Sequence, residues 1–226
     1  MATYWILFGA VAIVSYIVQA SLQRKFERYS QIRIGGGLTG RDVAEKMLRD
    51  HGITDVNVIS TSGSLTDHYN PTNKTVNLSE TVYGTCSVAA AAVAAHECGH
   101  AVQHATGYAF IKLRTALVPV VSFSSKALSW VLLAGMLLIN VLPQIMLLGV
   151  LLFAMTTLFS LVTLPVEFNA SKRALAVLEN RNLLFGDELS GARKVLSAAA
   201  LTYVAALINT LLQMLRLILI VNRRND

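Results

Sequence analysis

Charge is what this sequence has least of. Only 14% of its 226 residues are Asp, Glu, Lys or Arg, against 54% hydrophobic, whereas a soluble domain carries about a quarter charged residues. A chain this apolar buries enough of its surface only by using lipid as part of its solvent. Cysteine is nearly missing: Cys86 and Cys98 are the two, which excludes a disulfide framework and leaves reduced thiols as the expected state. The net charge of +6 is held in short clusters beside apolar runs. No basic face with interleaved aromatics occurs, which excludes nucleic acid as a partner. Internal repeats and low-complexity linkers are absent as well. Histidine is scarce, with five in the chain, yet His96, His100 and His104 fall within nine residues.

Long uncharged runs are what the chain has instead. The first, from Ala2 to Leu22, is long enough to cross a hydrocarbon core of about 30 Å. It has no basic leader region and no small-residue cleavage site, so an uncleaved anchor is expected. Arg24, Lys25 and Arg28 follow at once and place the next segment in the cytosol. From there to about residue 110 the composition is that of a water-exposed domain. Thr39 with Asp42 three positions on resembles a capping box, opening a helix to about His51 with Gly52 as its stop. Short strand-like runs follow near Val56–Ile59, Leu65–Tyr69 and Lys74–Leu78, separated by Ser-Gly and Asn-Pro turns. From Ser87 an alanine-rich helix begins, with Gly107 as its end.

Two apolar spans come next, Val118–Asn140 and Ile145–Val166, joined at Leu142-Pro143-Gln144; Lys126 interrupts the first. A basic stretch from Lys172 to Lys194 returns the chain to the cytosolic side. The last run, Ala198–Val221, carries Asn209, Gln213 and Arg216 and ends in Arg223-Arg224. Crossing would put those arginines outside. A helix packed on the domain or lying in the interface is therefore favoured, with a fourth span as the alternative.

The alanine-rich helix carries His96-Glu97-Cys98-Gly99-His100. Histidines four apart leave one face of a helix with Cβ atoms about 6 Å apart, so both rings can meet one ion. Glu97 lies toward the open side, where it can take a proton from water. Catalytic zinc keeps one position for water and needs a third protein ligand. His104, two turns or about 12 Å from His96 on a continuous helix, is a poor candidate and reads better as a helix-end or substrate-side group. Cys98 points away from the His96/His100 face and reads as a small buried hydrophobe. No Asp or Glu occurs between Glu97 and Glu167. A hairpin that leaves the membrane beside the domain and returns there delivers Glu167 to the histidines as third ligand. The blander role for Glu167, capping a helix that follows Pro165, is compatible with it. An oxyanion donor is also needed; His104 and Tyr203 are available, although a packing role for Tyr203 is favoured. Gly99 reads as a site of close approach by another helix.

This motif, the apolar hairpin and then Pro165-Val166-Glu167-Phe168-Asn169-Ala170-Ser171 resemble the YugP-type neutral zinc metallopeptidases along nearly the whole chain. They are more distantly similar to HtpX and the CAAX prenyl endopeptidases. The resemblance implies a membrane gluzincin with zinc held by His96, His100 and Glu167, and Glu97 as catalytic base. It departs at Ser171, where the HtpX-like pattern usually has aspartate.

The expected architecture is a mainly α membrane protein with a small α+β, zincin-like domain whose three-stranded sheet packs near the HExxH helix. Residues 1–22 form the anchor, 23–112 the first part of a cytosolic metallopeptidase domain and 113–166 a transmembrane hairpin. Residues 167–226 form its helical second part with a membrane-associated C-terminal helix. The expected activity is hydrolysis of membrane or membrane-proximal polypeptides at the cytosolic face of a bacterial plasma membrane. Lipid bilayer and polypeptide are the expected partners, and the strand near Lys74–Leu78 is the expected edge for pairing with an extended substrate. The alternative is a non-catalytic membrane scaffold or chaperone with a structural zinc site. A transporter fits poorly, since Lys126 is the one charge within the hairpin spans.

Overall fold

A computed structural model describes residues 2–138, 142 and 144–222, with side chains described over 9–138, 142 and 144–219. The fold is mainly α with a small three-stranded mixed sheet, as expected. Its elements are α1 (Ala2–Ser30), α2 (Gly40–Asp50), β1 (Asn57–Thr61), β2 (His68–Asn70), β3 (Thr75–Ser79), α3 (Glu80–Tyr83), α4 (Val88–Ala105), α5 (Ala109–Leu137), α6 (Gln144–Asn180) and α7 (Gly186–Asn222). The chain divides into two compact units. One comprises residues 18–111 and 165–202, the other 1–17, 112–164 and 203–226.

The first unit is built around α4. Its Ser87 N-cap accepts from the Ala90 amide, and its alanines from Ala89 to Ala95 are almost all inaccessible. A helix apolar on every side is a buried helix, and small side chains let several neighbours come close at once. α2 covers one flank with Val43, Ala44, Met47 and Leu48. Its start is the expected capping box: Thr39 Oγ1 accepts from the Asp42 amide, and Asp42 accepts in return from the Thr39 amide. Its end is the expected glycine, with Gly52 at φ +68, a left-handed conformation that only glycine adopts freely.

The sheet has the order β1-β3-β2, with β1 parallel and β2 antiparallel to β3. This corrects one expectation. The strand near Lys74–Leu78 is central, buried along its whole length, because the short β2 folds back onto its outer side. β2 is the edge nearest α4.

The second half of α6 supplies the other wall. Val166, Ala170, Ala174 and Leu178, spaced four apart, are wholly buried, with Glu167 and Ser171 beside them on the same face. Here too an expectation changes. α6 runs without a break through Pro165, so no helix begins there and Glu167 caps nothing. Proline inside a helix forfeits one backbone bond, and apolar spans tolerate it.

In the other unit α5 and the first half of α6 approach through glycines: Gly149 lies against the Leu132 side chain and Gly135 against Met146. Three helices among the described residues, α5, α6 and α7 to Leu219, are long and apolar enough to cross a bilayer. α7 thus meets that requirement, although its first half buries Ala192, Val195, Leu196 and Ala198 in the unit around α4. α1 is one helix through both its apolar run and the basic cluster, and it buries Phe26 and Tyr29. The expected anchor begins at Met1, which falls outside the described residues, as do Asn140, Pro143 and Arg223-Arg224.

Gly99 is a tight α4–α6 contact: a Cβ there would lie 2.7 Å from the Ala170 carbonyl oxygen. Gly99→Ala is therefore expected to destabilise the protein by roughly 1–3 kcal/mol, the usual range for overpacking. Thermal unfolding of the detergent-solubilised protein checks this, and an unchanged midpoint would contradict the contact.

Candidate metal centre

Because α4 is continuous, His96 and His100 leave one face with ring centroids 4.8 Å apart, edge to face. The Gly99–Ala170 contact brings α6 alongside, and Glu167 reaches between the rings. Its Oε2 is 3.2 Å from His96 Nε2 and 3.5 Å from His100 Nε2. One donor atom from each of the three residues lies within 4.8 Å of the others. Ligands of a tetrahedral zinc at about 2.0–2.1 Å stand a little over 3 Å from each other, so two of these spacings already fit. Nitrogen, nitrogen and carboxylate oxygen are also the donors that a catalytic zinc takes. The centre could hold such an ion, and it unites the three residues that the sequence singled out as ligands.

Glu97 is buried but stands apart from that set. Its Oε2 accepts from the Tyr69 backbone amide at 3.0 Å, so the edge strand β2 holds it. Burial, chiefly, raises its pKa to about 7; the nearby charges of Glu167 and Asp67 add to the rise, while His96 and the Tyr69 amide oppose it. Asp67 itself is held above the ordinary carboxylate range by burial, against hydrogen bonds from the Ser79 amide and hydroxyl.

Each imidazole is also held from behind. Ser171 Oγ lies 3.1 Å from His96 Nδ1, so the hydroxyl at the position of departure does meet a candidate ligand histidine. Gln103 Oε1 lies 3.1 Å from His100 Nδ1. Such partners orient ligand rings. His104 is outside the donor set and exposed, its ring centroid 6.0 Å from that of Tyr69. Tyr203 groups with the other unit. Cys98 is fully buried, its thiol directed at the Ala44 carbonyl and pushed up in pKa by burial, as expected of a packing residue. Sequence reasoning missed Gln103 and the Tyr69 amide. The first had a signal, a polar residue on the histidine face of an otherwise apolar helix; the second, a backbone group, had none.

The raised Glu97 pKa has a stability consequence in metal-free protein. Below about pH 4.5 the group is protonated folded or unfolded; above it the unfolded chain loses the proton first. The stability contributed by the protonated form is thus lost as pH rises toward and through about 7. Melting temperatures of chelator-treated protein should fall over that interval more steeply than those of Glu97→Gln. Parallel curves for the two proteins would contradict the assignment.

Two comparisons place the chain among known proteins. The profile of the family described as "Putative neutral zinc metallopeptidase" matches residues 4–222. The chain is 42% identical over 214 residues to "Putative membrane protease YugP" of Bacillus subtilis (strain 168), covering 94% of each. No solved structure matches.

Proposed function

Since the chain belongs to the family of neutral zinc metallopeptidases, we propose that it is a membrane-bound zinc endopeptidase with two histidine ligands and one glutamate ligand. It cuts membrane or membrane-proximal polypeptides from the cytosolic side. The observation that carries this is the convergence of His96, His100 and Glu167 on one point, with a buried, non-ligand glutamate at position 97.

When bound, zinc supplies Lewis-acid polarisation of the scissile carbonyl and lowers the pKa of an attacking water toward about 7. Glu97 does the proton work. Its Oε2 is fixed by the Tyr69 amide, which leaves the other carboxylate oxygen to take a proton from water and pass it to the leaving amine. Ser171 and Gln103 keep the two imidazoles in place meanwhile.

The substrate is expected along β2. That strand pairs on one side with β3, and on its other side the Tyr69 amide turns to Glu97. An extended peptide added to this edge through backbone hydrogen bonds would run past the reacting groups with little demand on its sequence. Cytosolic placement is supported by Arg24, Lys25 and Arg28 after the first apolar run, and by Lys172, Arg173, Arg193 and Lys194 around the second part of the domain. The long apolar helices support a membrane-spanning protein, and the compartment we propose is a bacterial plasma membrane.

Glu97→Gln should keep its zinc and lose about 10²–10⁴-fold in cleavage rate of a generic unfolded substrate such as casein, the usual worth of a general base. Glu167→Ala should lose the zinc itself, read by elemental analysis of purified protein. Undiminished cleavage by the first variant, or full zinc content in the second, would remove the reading.

A further inference from the structure

Resting on the assignment of His96, His100 and Glu167 as ligands, we infer that Gln103 is a positioning residue. With Asn169 and Arg173 behind it, Gln103 fixes the tautomer of His100 and directs His100 Nε2 at the ion. Gln103 is completely buried on α4, one turn beyond His100. Its Oε1 is 3.1 Å from His100 Nδ1, and its Nε2 is 2.7 Å from the Val166 carbonyl oxygen and 3.0 Å from Asn169 Oδ1.

Which end of the amide is which follows from neighbours that have one role only. A backbone carbonyl accepts and never donates. The atom of Gln103 that meets Val166 must therefore be the NH2 group. A guanidinium donates and never accepts, and Arg173 Nε donates to Asn169 at 2.8 Å. The Asn169 atom there is thus an oxygen, and Gln103 must donate to it as well. Two independent anchors turn the amide the same way, which is the kind of network that decides such assignments.

The consequence reaches His100. An amide oxygen has lone pairs alone to offer, so His100 Nδ1 must carry a hydrogen. In the neutral ring Nε2 is then bare, and it is the nitrogen 3.5 Å from Glu167 Oε2. Two lone-pair atoms brought face to face suit a cation between them. His96 is held differently. Its partner, the Ser171 hydroxyl, donates or accepts equally well and imposes no tautomer. Of the two imidazoles, His100 is the one whose tautomer is imposed. The same amide also ties α4 to the carbonyl of the residue next to Glu167, so it orients one ligand and the backbone of another.

The test uses full-length protein in detergent, stripped of metal. Zinc affinity is measured by competition with a chromogenic chelator, and coordination geometry by the visible spectrum of the cobalt-substituted form. Gln103→Met fills the space without polar atoms; it should bind zinc about 10–100-fold more weakly, the usual effect of losing such a partner, and shift the cobalt bands. Gln103→Glu keeps an oxygen opposite His100 Nδ1, and its buried carboxyl, protonated on the other oxygen, can still donate to the Val166 carbonyl, so it should recover part of that affinity. Equal losses in both variants would mean that Gln103 only packs, and parent-like binding by Gln103→Met would overturn the inference as well. If Gln103→Met does not fold, ¹⁵N-histidine labelling of the metal-stripped parent reads the tautomer directly, with no ion to hold Nε2. In the neutral ring a hydrogen on Nδ1 of His100 is expected, and a hydrogen on Nε2 instead would overturn the inference. A parent protein that binds no zinc would instead sink the ligand assignment beneath it.

Discussion

Where Gly99 meets Ala170, the backbones of α4 and α6 come closer than a methyl group would permit, and the convergence of His96, His100 and Glu167 follows from that approach. A glutamate side chain reaches only a few ångströms from its own helix. Glu167 can stand 3.2 and 3.5 Å from the two imidazoles only if α6 lies directly on α4. The small residues that allow this, the alanines of α4 and Ala170 and Ala174 of α6, contribute little apolar area individually. Their value is proximity: they let polar side chains from two helices meet in a buried place where each finds a partner. Gln103 reinforces the contact by donating across it to the Val166 carbonyl.

Two buried glutamates share this place, and their surroundings separate their roles. Glu167 faces both histidine rings and has cation-compatible partners on its inner side. Glu97 faces a single backbone amide from β2. Burial therefore leaves Glu97 as the one that holds a proton near neutral pH. Sequence neighbours of a motif can thus act differently because elements from elsewhere in the chain finish their environment: α6 for the histidines, β2 for the glutamate.

That division also explains how far the sequence was legible. His96, Glu97 and His100 form a local pattern whose geometry needs nothing beyond helical periodicity. Glu167 was readable because acids are so rare that the next carboxylate after Glu97 had few rivals. The capping box at Thr39 and the glycine stop at Gly52 were local as well. What escaped was non-local. Sheet order depends on how the chain folds back after β2, and period-2 alternation says nothing about which strand ends up central. The continuity of α6 through Pro165 depends on packing that outweighs one lost backbone bond. The roles of Gln103 and of the Tyr69 amide exist only once α6 and β2 are in place.

The burial of Glu97 is also the best argument against a purely structural centre. A closed zinc site needs its ligands and their supports, and a further buried carboxylate beside them is a liability. Raising a carboxyl pKa from 4.5 to about 7 corresponds to a stability loss on the order of 3 kcal/mol once the group is ionised in metal-free protein. A leucine or glutamine at position 97 would escape that loss and could fill the same space. Retaining a group whose ionised form burial penalises, held by one amide at the edge of the ligand set, makes physical sense where a proton must be taken up and given back. Strongly perturbed carboxyl groups gather at such sites for that reason.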